Sequence, residues 1–147
     1  MNALEYALTL LSRSDKTERK LYEALLKKGF SEEESADAVE RVKDYGYAGD
    51  EAFSRRYVEF NSDRKGRKRL EADLRLKGVS EEVAAEALGN LSEEDEFETA
   101  LNLARKKFSP SDENGFPREE KAKIYRFLAY RGFGQGVIRR VLEEIGK

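Results

Sequence analysis

Apolar residues recur at three- and four-residue spacing along most of the chain: Leu4, Leu8, Leu11; Leu21, Leu25; Val39, Val42; Phe53, Tyr57, Phe60; Leu70, Leu74. This is the period of helices that bury one side, and no run alternates with the period of two that a half-buried strand requires. Only two prolines occur, Pro110 and Pro117, and they bracket Ser109–Pro117, the one stretch that reads as a long loop.

Start and stop signals agree with the period. Ser31 is followed three residues later by Glu34, and Asp50, Ser80 and Ser92 each precede a helical pattern where a side-chain cap is wanted. Gly29, Gly78 and Gly132 stand where helices should end, behind Lys27, Lys28, Lys77 and Arg131. These glycines read as one position written three times. Four and eight residues before them stand Leu25 and Leu21, Leu74 and Leu70, Leu128 and Ile124. Nine, ten and thirteen residues after them stand Ala38, Val39 and Val42; Ala87, Leu88 and Leu91; Val141, Leu142 and Ile145.

Upstream, Leu4, Leu8 and Leu11 align with Phe53, Tyr57 and Phe60, and with Phe97, Leu101 and Ala104 if about ten residues are inserted in the Pro-bracketed loop. The expected fold is therefore all-α: three tandem three-helix repeats, offset by 49 and then 54 residues, with boundaries at 1–49, 50–92 and 93–147. Units that pack mainly on their neighbours predict an elongated, curved array.

Composition narrows the chemistry. At 147 residues the chain is long enough to bury a real core, and 8 Phe and 7 Tyr argue against disorder despite a charged fraction of 39%. It has no Cys and no His, which excludes thiol nucleophiles, disulfides, structural zinc and imidazole triads. No set of residues offers a nucleophile, base and orienting group, so no enzyme, cofactor or metal is expected. Met1–Leu11 lacks a basic start and a small-residue cleavage site, and no apolar run approaches the roughly 20 residues of a membrane span, so a cytoplasmic protein is expected.

The net charge of −2 hides a segmented distribution: residues 51–78 carry +4, residues 79–98 carry −8 and residues 118–147 carry +4. The densest basic run, Arg64-Lys65-Gly66-Arg67-Lys68-Arg69, stands at the start of a helix, with Arg55 and Arg56 one helix earlier. Helix N-termini favour acids, so a basic cluster there suggests a phosphate or acidic partner; the competing reading is a solvated face. Candidate partner-binding residues are Arg55, Arg56, Arg64, Lys65, Arg67, Lys68 and Arg69, with Lys121, Lys123, Arg126, Arg131, Arg139 and Arg140 as a second patch. Reversing Arg67, Lys68 and Arg69 to Glu is expected to weaken partner inhibition without unfolding the protein.

Other motifs read as structure. Glu93-Glu94-Asp95-Glu96 follows Ser92 as a first helical turn; consecutive helical residues point in different directions and cannot converge on one ion. Asp112-Glu113-Asn114-Gly115 reads as a plain turn, and Gly132-Phe133-Gly134-Gln135-Gly136 as a helix–helix turn, because no strand precedes it and no Gly-Lys-Ser/Thr follows. Phe53, Tyr57, Phe60, Phe97 and Phe127 sit at core spacing and read as packing residues rather than base-stacking ones.

Taken together, the three-fold repeat and its anchors resemble the RecX family of bacterial recombinase regulators. The anchors are Arg13-Ser14 with Glu18 and Leu21; Leu25, Lys28 and Gly29; Tyr45-Gly46-Tyr47 followed by Asp50, Phe53 and Tyr57-Val58; Gly66, Leu70, Leu74 and Lys77-Gly78-Val79; and Phe127-Leu128 with Arg131-Gly132-Phe133. The resemblance implies a small, non-catalytic modulator that lodges along the helical groove of the RecA filament and inhibits its growth, ATP hydrolysis and strand exchange, modulating recombination and DNA repair; a monomer is expected. Single- or double-stranded DNA is an open second partner. A different class, a stand-alone helical nucleic-acid binder, fits the basic cluster as well, and the salt dependence of binding to bare DNA separates the two.

Overall fold

The structure, a computed structural model, describes residues 1–45, 49–110 and 115–147. Among the described residues there are nine helices and no strand: α1 (Ala3–Arg13), α2 (Glu18–Lys28), α3 (Glu32–Asp44), α4 (Asp50–Asn61), α5 (Arg67–Leu76), α6 (Glu81–Leu88), α7 (Glu93–Lys107), α8 (Arg118–Tyr130) and α9 (Gln135–Glu144). Three helices per repeat are thus present, in tandem. Gly46 and Tyr47 of the Tyr45-Gly46-Tyr47 anchor, and Ser111, Asp112, Glu113 and Asn114 of the Pro-bracketed loop, lie outside the described residues.

Helix ends follow local chemistry. Ser31 and Ser92 each close a capping box, with Glu34 and Asp95 answering from the third helical position. Thr17 accepts from the Lys20 N–H at 3.1 Å, and Ser80 from the Val83 N–H at 3.3 Å. Gly29, Gly78 and Gly132 have φ of +116°, +93° and +93°, the left-handed conformation expected of a stop glycine.

The chain forms two compact units: residues 1–57 with 74–87, and residues 58–73 with 88–147. The middle repeat is divided, since α4 and α5 each contribute one part to either unit. In the first unit, Ala3 and Ala7 of α1 meet Leu21 and Leu25 of α2 and Ala38, Val39 and Val42 of α3, with Leu4, Leu8 and Leu11 partly buried around them. In the second, Ala100, Leu101 and Ala104 of α7 pack with Ile124 and Leu128 of α8 and Val137, Ile138 and Val141 of α9, closed by Phe116, Phe133 and Ile145. Burying each Leu or Ile contributes roughly 2 kcal/mol, so these two clusters hold the units together.

One expectation is overturned. Phe60 is 76% exposed and packs on no core, although its spacing from Phe53 and Tyr57 suggested burial. The inward positions of α4 are Ser54 and Val58, which occupy the places of Ala7 and Leu11 in α1 and of Ala100 and Ala104 in α7. The first helices therefore repeat at 47 and 46 residues, which maps Phe60 onto Arg13 and Lys106, both exposed. Phe53 and Tyr57 stack on each other at 6.2 Å, and Phe97 and Phe127 pack partly buried against the second core, as expected.

Candidate functional site

The basic run at the start of α5 is drawn into the second unit's own architecture. Gly66 and Lys68 donate backbone N–H groups to the carbonyls of Arg131 and Gly132 at 2.8 and 3.1 Å, so the negative end of α8 abuts the positive end of α5. A Cβ on Gly66 would lie 2.5 Å from the Gly132 carbonyl, and this contact requires glycine. From α7, the 8% exposed Glu96 accepts the Arg67 N–H at 2.8 Å and faces the Arg67 guanidinium at 3.9 Å. The acid that a helix N-terminus favours is therefore supplied from 29 residues away in sequence.

The side chains of the run are largely engaged. Arg67 donates to the Leu91 carbonyl, and Lys65 and Arg69 converge on the half-buried Asp73 at 2.7 and 3.5 Å. Arg69 reaches the Tyr130 carbonyl at 3.3 Å, and Arg131 reaches the Arg64 carbonyl at 3.2 Å. Arg64 bonds the Asn61 amide oxygen at 2.6 Å, and Arg56 pairs with Asp15 in the first unit. In the second patch, Lys123 pairs with Glu120 at 3.6 Å, while Arg140 pairs with Glu94 at 2.9 Å and stacks over Phe97 at 4.1 Å.

What remains outward is a smaller set. Arg55, Lys68, Lys121, Arg126 and Arg139 are exposed, and their side chains make no ion pair or hydrogen bond among the described residues. The four acids after Ser92 diverge: Glu93 approaches Gly136, Glu94 takes Arg140, Asp95 closes the capping box and Glu96 caps α5. Among the described residues no group of three or more acids is placed to hold a metal ion, and no helix is long and apolar enough to cross a membrane.

The first unit repeats the junction. Asp50 accepts the Glu18 N–H at 2.9 Å, as Glu96 accepts that of Arg67, and Glu18 in turn accepts the Asp50 N–H at 3.3 Å. Arg19 donates to the Leu76 carbonyl at 2.5 Å beside Gly78, as Arg69 donates to the Tyr130 carbonyl beside Gly132. Burial, and then the neighbouring Glu18 carboxylate, push Asp50 above the ordinary carboxylate value of 3.8. Lys43, 3.5 Å from Glu18, is raised above 10.5 by that carboxylate first and by Glu40 second. Glu18, Lys43 and Asp50, with Arg55, line an open depression of about 670 Å³.

Two RecX-specific domain models match the first and second three-helix domains of that family, over residues 3–41 and 50–88, and another matches the third over residues 93–142. A regulatory protein RecX from Chromobacterium violaceum is 36% identical over 138 residues, spanning 92% of this chain and 86% of the relative. This chain belongs to the RecX family. The regulatory protein RecX of Clostridium perfringens is 31% identical over 140 residues, 92% of this chain, which spans 66% of that relative's length. In fold, the crystal structure of RecX from Lactobacillus salivarius superposes with a TM-score of 0.85, covering 97% of this chain and 94% of that one at 22% identity.

Two surface features escaped the sequence reading. Leu76 and Tyr130 are 78% and 72% exposed, and each stands two residues before a stop glycine, Gly78 or Gly132. The repeat itself carried that signal, because it sets the two residues at one position in successive second helices. Phe60 was misplaced by the slip of register described above.

Proposed function

We propose that this chain regulates the RecA recombinase by binding its filament on DNA and inhibiting filament growth, ATP hydrolysis and strand exchange. The observation that supports the reading is the ordered match of the RecX three-helix domains over residues 3–41, 50–88 and 93–142. Recognition rests on the outward cations Lys68, Lys121, Arg126 and Arg139, which are not consumed by internal pairing. Exposed cations of this kind steer a protein to an acidic surface and set orientation more than they add affinity. The protein acts in the cytoplasm as a monomer, without cofactor and without catalysis of its own.

The direct test uses Lys68→Glu with Arg126→Glu. These side chains hold nothing else in place, so the double variant keeps its melting temperature while inhibition of RecA weakens about tenfold or more. Unchanged inhibition removes this surface from the mechanism. Reversing Arg67 and Arg69, by contrast, strips the contacts to Glu96, Asp73 and the Leu91 and Tyr130 carbonyls, and unfolds the junction it was meant to probe.

A further inference from the structure

Helices α4 and α7 stand at the same place in successive repeats, and α4 is held less well at two points. Ser54 occupies the inward position that Ala7 fills in α1 and Ala100 in α7, and its hydroxyl, fully buried, has no hydrogen-bond partner. A buried hydroxyl without a partner carries a desolvation penalty that alanine does not. Asp50 and Glu96 also share one position, and each accepts the N–H of a residue at the start of a second helix, Glu18 or Arg67. Glu96 there faces the Arg67 guanidinium at 3.9 Å, whereas Asp50 meets a second carboxylate, that of Glu18, which accepts the Asp50 N–H at 3.3 Å.

Little else fastens the part of α4 that belongs to the first unit. Of residues 50–57 only Ser54 is buried, and the half-buried Phe53 and Tyr57 stack on each other at 6.2 Å. By contrast, α7 buries Ala100, Leu101 and Ala104. Arg56 pairs with Asp15, but both side chains are exposed and such a pair contributes little. Ser35 of α3 has an equally orphaned hydroxyl, yet α3 is anchored by Ala38, Val39 and Val42 in the first core. The charges around Asp50 are mixed: Glu18 and Arg19 face it from α2 and Lys43 from α3, while Asp44, Glu51 and Arg55 share the depression. Lys43 sits on Glu18 at 3.5 Å, with Glu40 acting on it too, and Asp50 forms no ion pair among the described residues.

We propose that the start of α4 is a latch: it opens from the first unit while α1, α2 and α3 stay folded, and a proton taken from solvent at the Asp50–Glu18 junction closes it. With both carboxylates charged, the junction sets two negative charges against each other at a partly desolvated point, and the start of α4 loosens. A proton on Asp50 Oδ2 removes the repulsion and the desolvation penalty, while Oδ1 still accepts the Glu18 N–H. The upward displacement of Asp50 from 3.8 has the matching sign: a closed form that prefers the neutral carboxyl is favoured at low pH and loses ground as pH rises through the folded value. Segments with few buried apolar contacts are the ones that open locally. The latch is a property of the first unit and does not rest on the filament-regulator reading.

The test is hydrogen–deuterium exchange of the full chain, read by mass spectrometry on peptides from α2, α4 and α7 and corrected for intrinsic exchange rates. At pH 7, α4 should be protected about a hundredfold less than α2 and α7. Ser54→Ala should raise the protection of α4 about tenfold at every pH and leave that of α7 unchanged. Between pH 4 and pH 7, the protection of α4 relative to α7 should fall in the unaltered protein and stay level in Asp50→Asn, whose amide oxygen keeps the cap on α2.

Protection of α4 equal to that of α2 would overturn the latch, because the segment would then open only with the whole unit. So would Ser54→Ala slowing exchange in α4 and α7 alike. A ratio of α4 to α7 protection that is flat with pH in the unaltered protein, or that falls equally in Asp50→Asn, would overturn the control by protons. The comparison of α4 with α2 needs no substitution, so the latch is tested even if a variant fails to fold.

Discussion

Gly66→Ala should strongly destabilise the second unit. The new Cβ would sit 2.5 Å from both the carbonyl carbon and oxygen of Gly132 and 2.6 Å from the Phe133 nitrogen, all backbone atoms that no rotamer change can move. Ordinary contact is about 3.5–4.0 Å, so the end of α8 must retreat by roughly 1 Å. That retreat breaks the Gly66 N–H bond to Arg131 and the Lys68 N–H bond to Gly132, 2.8 and 3.1 Å long. Two such bonds contribute about 2 kcal/mol together, and the overpacking costs about 2 kcal/mol more, for a total near 4 kcal/mol. For a chain of this size the loss lowers the melting temperature by about 12 °C.

Gly29→Ala supplies the comparison. Its φ is +116° but nothing lies within 4 Å of the added methyl, so only the left-handed backbone is penalised, by about 1–2 kcal/mol. Urea denaturation followed by far-ultraviolet circular dichroism measures both variants. If Gly66→Ala is no more damaging than Gly29→Ala, the close approach of α5 and α8 is not what holds this junction.

Other outcomes follow from the same contacts. Gly134 has the backbone angles of an N-cap, φ −77° and ψ 163°, close to those of Ser31, but provides no side-chain acceptor for α9; Gly134→Ser should therefore raise stability by about 0.5 kcal/mol in the same denaturation assay. Glu96→Ala, which leaves the Arg67 N–H without its acceptor, should cost about 2–3 kcal/mol, and Glu96→Gln, which keeps the acceptor, about half as much. Asp50 is raised above 3.8, so its carboxyl contributes stability that is complete below pH 3.8 and is lost as pH rises through the folded value. Asp50→Asn, whose amide oxygen still caps α2, should gain on the unaltered protein as pH climbs from 3.8 toward neutrality. A difference between the two that is flat with pH would refute the assignment.

Much of the fold was legible because helix chemistry is local. Ser31 with Glu34, Ser92 with its first-turn acids, and the three stop glycines each need only residues within one turn, and all behave as read. The basic run was legible as a cluster but not in the internal contacts that engage it. The anion that answers it, Glu96, and the carbonyls of Arg131 and Gly132 lie 29 to 65 residues away from the positions they meet, beyond the reach of local pattern. Phe60 failed for a different reason: an aromatic at i+7 from Phe53 satisfies a helical stripe, but the inward positions of α4 are the small Ser54 and Val58, which periodicity ranks below a ring. Where repeats diverge in side-chain size, the hydrophobic stripe can be aligned two residues out of register.

The measurement that tests the account most directly is the single-strand-dependent ATP hydrolysis of RecA, followed through filament assembly while this protein is added at increasing ratios. The account predicts loss of hydrolysis well below one regulator per recombinase subunit, since a molecule seated on a filament affects subunits beyond those it touches. Unchanged hydrolysis at saturating protein, with salt-sensitive binding to bare DNA instead, would contradict it and leave a stand-alone nucleic-acid binder.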